Sequence, residues 1–144
     1  VILDEPTTGL DPVAREEVLS ELADILRDEN RSVLFSSHNT QDVEQLADSI
    51  TFLHKGKLLD SQDKETHLDR WRRIVCTGDI SSSGLGIDCI TNIKRNGSLN
   101  EIIVNQYDDS ILAQLSAQGL NISSVDRMSL EKIFVANVRA GAKS

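Results

Sequence analysis

Two apolar runs of β-type character, Val1-Ile2-Leu3 and Val33-Leu34-Phe35, flank a helical pattern at the start of the chain. Runs that are apolar throughout, without alternation, belong to strands buried on both faces. Between them Asp11-Pro12 makes a helix start, with aspartate as N-cap and proline at the first helical position, where its missing N–H costs nothing. Val18, Leu19, Leu22, Ile25 and Leu26 follow at the spacing of one helical face, and Asn30 is expected to end the helix. A second strand is read over Ser32 to Ser37. Strand, helix and strand so close together form a βαβ unit, whose strands are parallel and joined by a right-handed crossover. The fold class is therefore read as α/β.

A second helix is expected over residues 40–48, with Val43, Leu46 and Ala47 facing inward. Ile50 to Leu53, the turn Lys55-Gly56 and Leu58-Leu59 read as a β-hairpin. After residue 66 the pattern changes. Arg72 to Cys76, Cys89 to Lys94 and Ile102 to Gln106 read as strands, with Ser81 to Gly86 the clearest loop. A helix from Asp109-Ser110 to Gln118, a short strand from Ile122 to Asp126 and a last helix from Ser129 complete a small α+β module. Residues 1–66 carry 15 acidic and 6 basic side chains, net −9, whereas residues 67–144 carry 8 and 9, net +1. The division is accordingly drawn between residues 66 and 67, and the acidic first part disfavours a nucleic-acid backbone as partner.

Asp4 and Glu5 sit at the carboxyl end of the first strand, where open parallel sheets place their ligand sites. A bare pair of acids there reads as solvated surface. The adjoining residues change that reading: Pro6-Thr7-Thr8-Gly9-Leu10-Asp11 supplies a rigid turn, hydroxyls, a glycine able to take positive φ and a third acid. His38 stands at the end of the neighbouring strand, so the βαβ geometry puts it on the same rim as Glu5.

VILDEPTTGLDP followed by LFSSH resembles the Walker B strand, D-loop and switch-histidine loop of an ATP-binding-cassette ATPase, in that order. The resemblance covers at least residues 1–60 and implies a partial P-loop NTPase core followed by the small α+β module. It implies that Asp4 holds Mg²⁺, largely through water, and that Glu5 is the general base that orients the attacking water. It implies further that His38 contacts the γ-phosphate of ATP, and that Gly9 and Asp11 lie in a loop reaching towards a second ATPase subunit. Asp11 is also the expected N-cap, and the two roles are compatible. The tail Ser129 to Val138, SLEKIFVANV, is similar to the carboxyl termini of ATPase subunits of the ABC-2 class of exporters. Together these imply an energising subunit on the inner face of the cell membrane, paired with an integral membrane permease.

The phosphate cradle GxxxxGK[ST] is not in this sequence: Gly56-Lys57 is followed by Leu58 and has no glycine five residues earlier. Ser83-Gly84-Leu85-Gly86 superficially resembles the family's LSGGQ but comes after the Walker B strand instead of preceding it, and is read as a flexible loop. The expectation is a carboxyl-terminal portion of a longer polypeptide, poorly folded over residues 1–60 and inactive when isolated. No leader pattern is read, and the apolar runs are too short to span a bilayer, so the chain is expected to be cytoplasmic. Cys76 and Cys89 are expected to be buried reduced thiols, His54 and His67 surface side chains, and Trp71 a linker residue packed on its own domain. Two other functions stay open: a soluble cassette ATPase of DNA repair or translation, and a non-enzymatic regulatory or dimerisation module.

Overall fold

A computed structural model describes residues 1–142, which form two compact units, one over residues 1–48 and one from Ser49 onward. The packing boundary after Asp48 and the sequence division between residues 66 and 67 differ by the hairpin and the first three residues of the short helix after it.

The first unit runs β1 (Ile2–Asp4), α1 (Pro12–Leu26), β2 (Leu34–Ser36) and α2 (Thr40–Leu46). β1 and β2 pair in parallel, Leu3 opposite Phe35 and Asp4 opposite Ser36. Asp11 caps α1 as expected, its carboxylate accepting from the N–H groups of Val13 and Ala14 at 2.9 and 3.0 Å. The helix ends four residues earlier than Asn30. Arg27 and Asp28 donate their N–H groups to Asp24 and Ile25, three residues back, which tightens the last turn. Asp28 then accepts from the Asn30 N–H, so a side-chain turn takes over the chain. The apolar runs are buried on one face only: Ile2 is 81% and Leu34 67% exposed, while Leu3 and Phe35 are half-buried.

The second unit begins with the hairpin β3 (Ser49–His54) and β4 (Lys57–Asp63), joined by Lys55-Gly56 with φ of +49° and +74°. Two positive φ values suit the twist of flanking strands in a two-residue turn. Then come α3 (Lys64–Arg70), β5 (Arg72–Thr77), β6 (Ile90–Asn96), β7 (Leu99–Val104), α4 (Asp109–Ala117), β8 (Asn121–Arg127) and α5 (Leu130–Ala142). The last four strands make an antiparallel sheet in the order β6-β7-β5-β8. One face of it, with Ile74, Cys76, Ile102 and Val104, joins Ile111 and Leu115 of α4 in an apolar core. Burying each such side chain contributes about 1.5–3 kcal/mol. Leu85, within the segment read as a loop, and Ile80, just before it, also enter that core. α5 lies against β4, β6 and α3.

The expectations for the two histidines also fail. His67 is fully buried, not on the surface: α3, which the sequence reading did not include, turns its ring onto Phe52 at 4.9 Å, with Nε2 3.1 Å from the Ile50 carbonyl. His54 is half-buried, 6.5 Å from the ring of Phe134. Trp71 is buried within its own unit, and its cationic neighbours are engaged: Arg70 with Asp60, Arg72 over the Tyr107 ring, Arg73 with Glu101 and Asp126. Cys76 is a buried and Cys89 a half-buried free thiol, and burial pushes both thiols up.

Candidate functional site

The candidate site is the rim of the first unit where β1 and β2 end. The chain leaves β1 through Glu5, whose N–H donates to the Ser36 carbonyl at 3.1 Å and also lies 3.0 Å from the Ser36 hydroxyl oxygen. That hydroxyl donates in turn to the Asp4 carboxylate. Ser36 thus holds both acids at the strand ends, a part the sequence reading did not assign to it. A serine in a short strand carries no separate signal, because its neighbours on the facing strand are unknown until the register is known.

Glu5 has φ of +49°, a left-handed conformation that a residue with a Cβ rarely takes. Such a conformation costs energy and persists only where surrounding contacts hold it. The contacts here are explicit. His38 Nδ1 lies 2.9 Å from Glu5 Oε2, and the Thr8 hydroxyl donates to the same oxygen at 2.9 Å. Those hydrogen bonds, from His38 first and Thr8 second, hold the Glu5 carboxyl below its ordinary range. Glu5 is about one-third exposed and His38 about three-quarters, so the pair is open to a ligand.

The structure therefore brings together Asp4, Glu5 and His38 on one rim. Gly9, at φ of +77°, lies beyond it in the turn to α1, with open space where a Cβ would stand. Asp11 is spent on the α1 cap and makes no contact with the Glu5–His38 pair. Among the described residues no group of three or more histidine, cysteine, aspartate or glutamate side chains is placed to hold a metal ion. An exposed single carboxylate still fits Mg²⁺, which is bound through one or two carboxylates together with phosphate oxygens and water.

Beneath the rim lies a second group that sequence reasoning missed. Asp42, 1% exposed, accepts from the Thr7 hydroxyl at 2.6 Å and from Arg15 Nε at 2.8 Å. Burial pushes the Asp42 carboxyl up, but the hydrogen bonds from Arg15 and Thr7 and the charge of Arg15 outweigh it and hold it below the ordinary value. In sequence Asp42 looks like one more acid on the polar face of a helix.

The fold and rim define a mixed α/β protein with paired acids at the end of a parallel strand, facing an imidazole from the next strand. Comparison with known proteins narrows this. The chain is 40% identical over 137 residues, 95% of its length, to the bacitracin transport ATP-binding protein BcrA of Bacillus licheniformis. It is 42% identical over 97 residues, 67% of its length, to an energy-coupling factor transporter ATP-binding protein of Clostridium tetani. It is 26% identical over 140 residues to the ABC transporter ATP-binding protein YtrB of Bacillus subtilis. The chain belongs with the ATP-binding-cassette transport ATPases, and it spans 41%, 31% and 47% of the lengths of these three relatives. No protein-family model matches it.

Proposed function

We propose that residues 1–66 are the Walker B, D-loop and switch-histidine portion of a P-loop ATPase domain, and that this domain energises an exporter. The observation that carries the reading is the 2.9 Å contact between Glu5 and His38 at neighbouring strand ends. Glu5 acts as general base on the attacking water. The side-chain contacts from His38 and Thr8 both engage Oε2. His38 donates Nδ1–H to Glu5, so its Nε2 donates to a phosphate oxygen only in the imidazolium form. Asp4, oriented by Ser36, would hold Mg²⁺, largely through water, and the ion would supply charge neutralisation at the phosphoryl oxygens. Gly9 and Asp11 belong to the loop that meets a second ATPase subunit.

The phosphate cradle would have to come from outside these residues, and the isolated chain is expected to be inactive. Exposed Ile2 and Leu34 agree with an incomplete sheet over residues 1–60. Export as the direction of transport is supported by the match that runs through both units, to a protein named for bacitracin transport. A lantibiotic transport ATP-binding protein of Streptococcus pyogenes is also 44% identical over 59 residues. The whole protein would sit on the cytoplasmic face of the membrane beside a permease; no helix among the described residues is long and apolar enough to cross it. Glu5→Gln in the whole protein that carries this sequence is expected to lower kcat for ATP hydrolysis by ~10²–10⁴-fold while ATP still binds. Turnover within a few-fold of the parent would overturn the assignment. Co-purification with an integral membrane protein is expected; recovery with ribosomes or DNA instead would favour a soluble cassette ATPase.

A further inference from the structure

We propose that Asp42 is a positioning residue for the Glu5–His38 pair: its buried carboxylate ties the turn after β1 and the first turn of α1 to the start of α2, and so fixes the two strand-end loops that carry the pair. The inference rests on the proposed hydrolytic role of Glu5. Three segments meet at this one side chain. Thr7, two residues after Glu5, donates to Oδ2 at 2.6 Å. Arg15 of α1 donates to Oδ1 through Nε at 2.8 Å and through Nη2. Asp42 itself stands four residues after His38.

A carboxylate that is 1% exposed costs several kcal/mol to desolvate, and it is retained only with such partners in place. Its partners come from different segments, so satisfying Asp42 requires one relative placement of the two loops. Thr7 is itself 8% exposed, which roots the turn that carries Glu5 and Thr8 in the interior. Glu5, by contrast, is held in a left-handed conformation at an open rim, with hydrogen bonds from His38 and Thr8 to its carboxylate. The rim contact is therefore the part that moves if the buried junction loosens. Asp42 touches neither Glu5 nor His38 and acts through the backbone of both loops.

The test uses the whole protein. The kcat and KM for ATP hydrolysis are measured for the parent, Asp42→Asn, Thr7→Val and Glu5→Gln, beside thermal unfolding. The Glu5 and His38 side-chain signals are compared by NMR at one fixed pH near neutrality in the nucleotide-free protein. Glu5 is faced by His38 from the loop after β2 and by Thr8 from its own turn, with Asp4 next to it in the chain; Asp42 is faced by Arg15 and Thr7. Asp42→Asn is expected to lower kcat by ~10–100-fold, the cost of a misplacement of about 1 Å. KM for ATP should change by less than kcat falls, since the displaced His38 is one nucleotide contact among several.

Loss of the His38 contact is expected to change the Glu5 and His38 side-chain signals at that pH. Thr7→Val keeps the shape, removes one hydrogen bond and is expected to change kcat and both signals in the same direction by less. A lower melting temperature with kcat and both signals unmoved would overturn the proposal, leaving Asp42 a purely structural residue. If Asp42→Asn does not fold, an unchanged Thr7→Val overturns it in the same way. An active Glu5→Gln would sink the hydrolytic reading itself, and the proposal with it. An inactive Glu5→Gln beside an unmoved Asp42→Asn sinks the positioning role alone.

Discussion

In the unit of residues 1–48 the buried side chains are Leu19, Leu22, Thr7 and Asp42, half of them polar. In the unit from Ser49 onward His67 and Asn100 are the buried polar side chains, beside sixteen apolar ones such as Trp71, Ile74, Ile102 and Leu115. Apolar burial is non-directional and tolerates small shifts, whereas a buried carboxylate demands its donors at fixed distances. The first unit therefore trades stability for a defined geometry, and the candidate site sits on that unit. The second unit holds itself together by area and carries no comparable group of reacting side chains among its described residues.

The largest effect expected from this contrast is in the apolar core of the second unit. Leu115→Ala, at a fully buried position, is expected to cost about 2–5 kcal/mol in denaturant unfolding. The same change at Leu22 leaves a smaller void in a thinner interior and belongs at the lower end of that range. A larger loss at Leu22 than at Leu115 would break the comparison.

A smaller effect separates the units by pH. The Asp42 carboxyl is held below its ordinary value of 3.8, so the stabilisation it gives is fully present above that value and is lost as pH falls through the depressed one. Asp63 and Asp108 in the second unit are lowered likewise by Thr66 and Ser110, but they are solvent-exposed caps whose contribution is screened. Amide-exchange protection is thus expected to fail first over residues 1–48 as pH drops below about 3.8. Simultaneous loss in both units would show that the polar junction is no weak point.

The contrast also explains what was legible in the sequence alone. Asp4, Glu5 and His38 could be read together because residues at the ends of consecutive parallel strands share a rim whatever the details of packing. Asp11 could be read because capping is local. Pairing and burial are not local, and what depended on them was hidden. Ser36 acquires its part only through its register opposite Asp4. Asp42 is a polar position in a helix whose inward face was read from Val43, Leu46 and Ala47, and His67 sits in a seven-residue helix with no apolar period, so neither burial could be inferred. β7 begins three residues before Ile102, because the turn at Gly97 sets where the strand can pair.

The finest comparison lies in two backbone conformations. Glu5 and Lys55 share φ of +49°, one at the rim of the first unit and one in the hairpin turn of the second. Asparagine takes this conformation more readily than either. At Lys55 the substitution removes strain from a position that already asks for such a residue, and Lys55→Asn is expected to raise stability by up to ~1 kcal/mol. Glu5→Asn relieves the same strain but shortens the side chain away from His38 and Thr8, so its net effect on melting temperature should be the smaller of the two. If Glu5→Asn stabilises as much as Lys55→Asn, the contacts at the rim contribute nothing to the fold. The strain at Glu5 would then be held by the Ser36 hydrogen bonds to its backbone, and the imidazole would serve the chemistry alone.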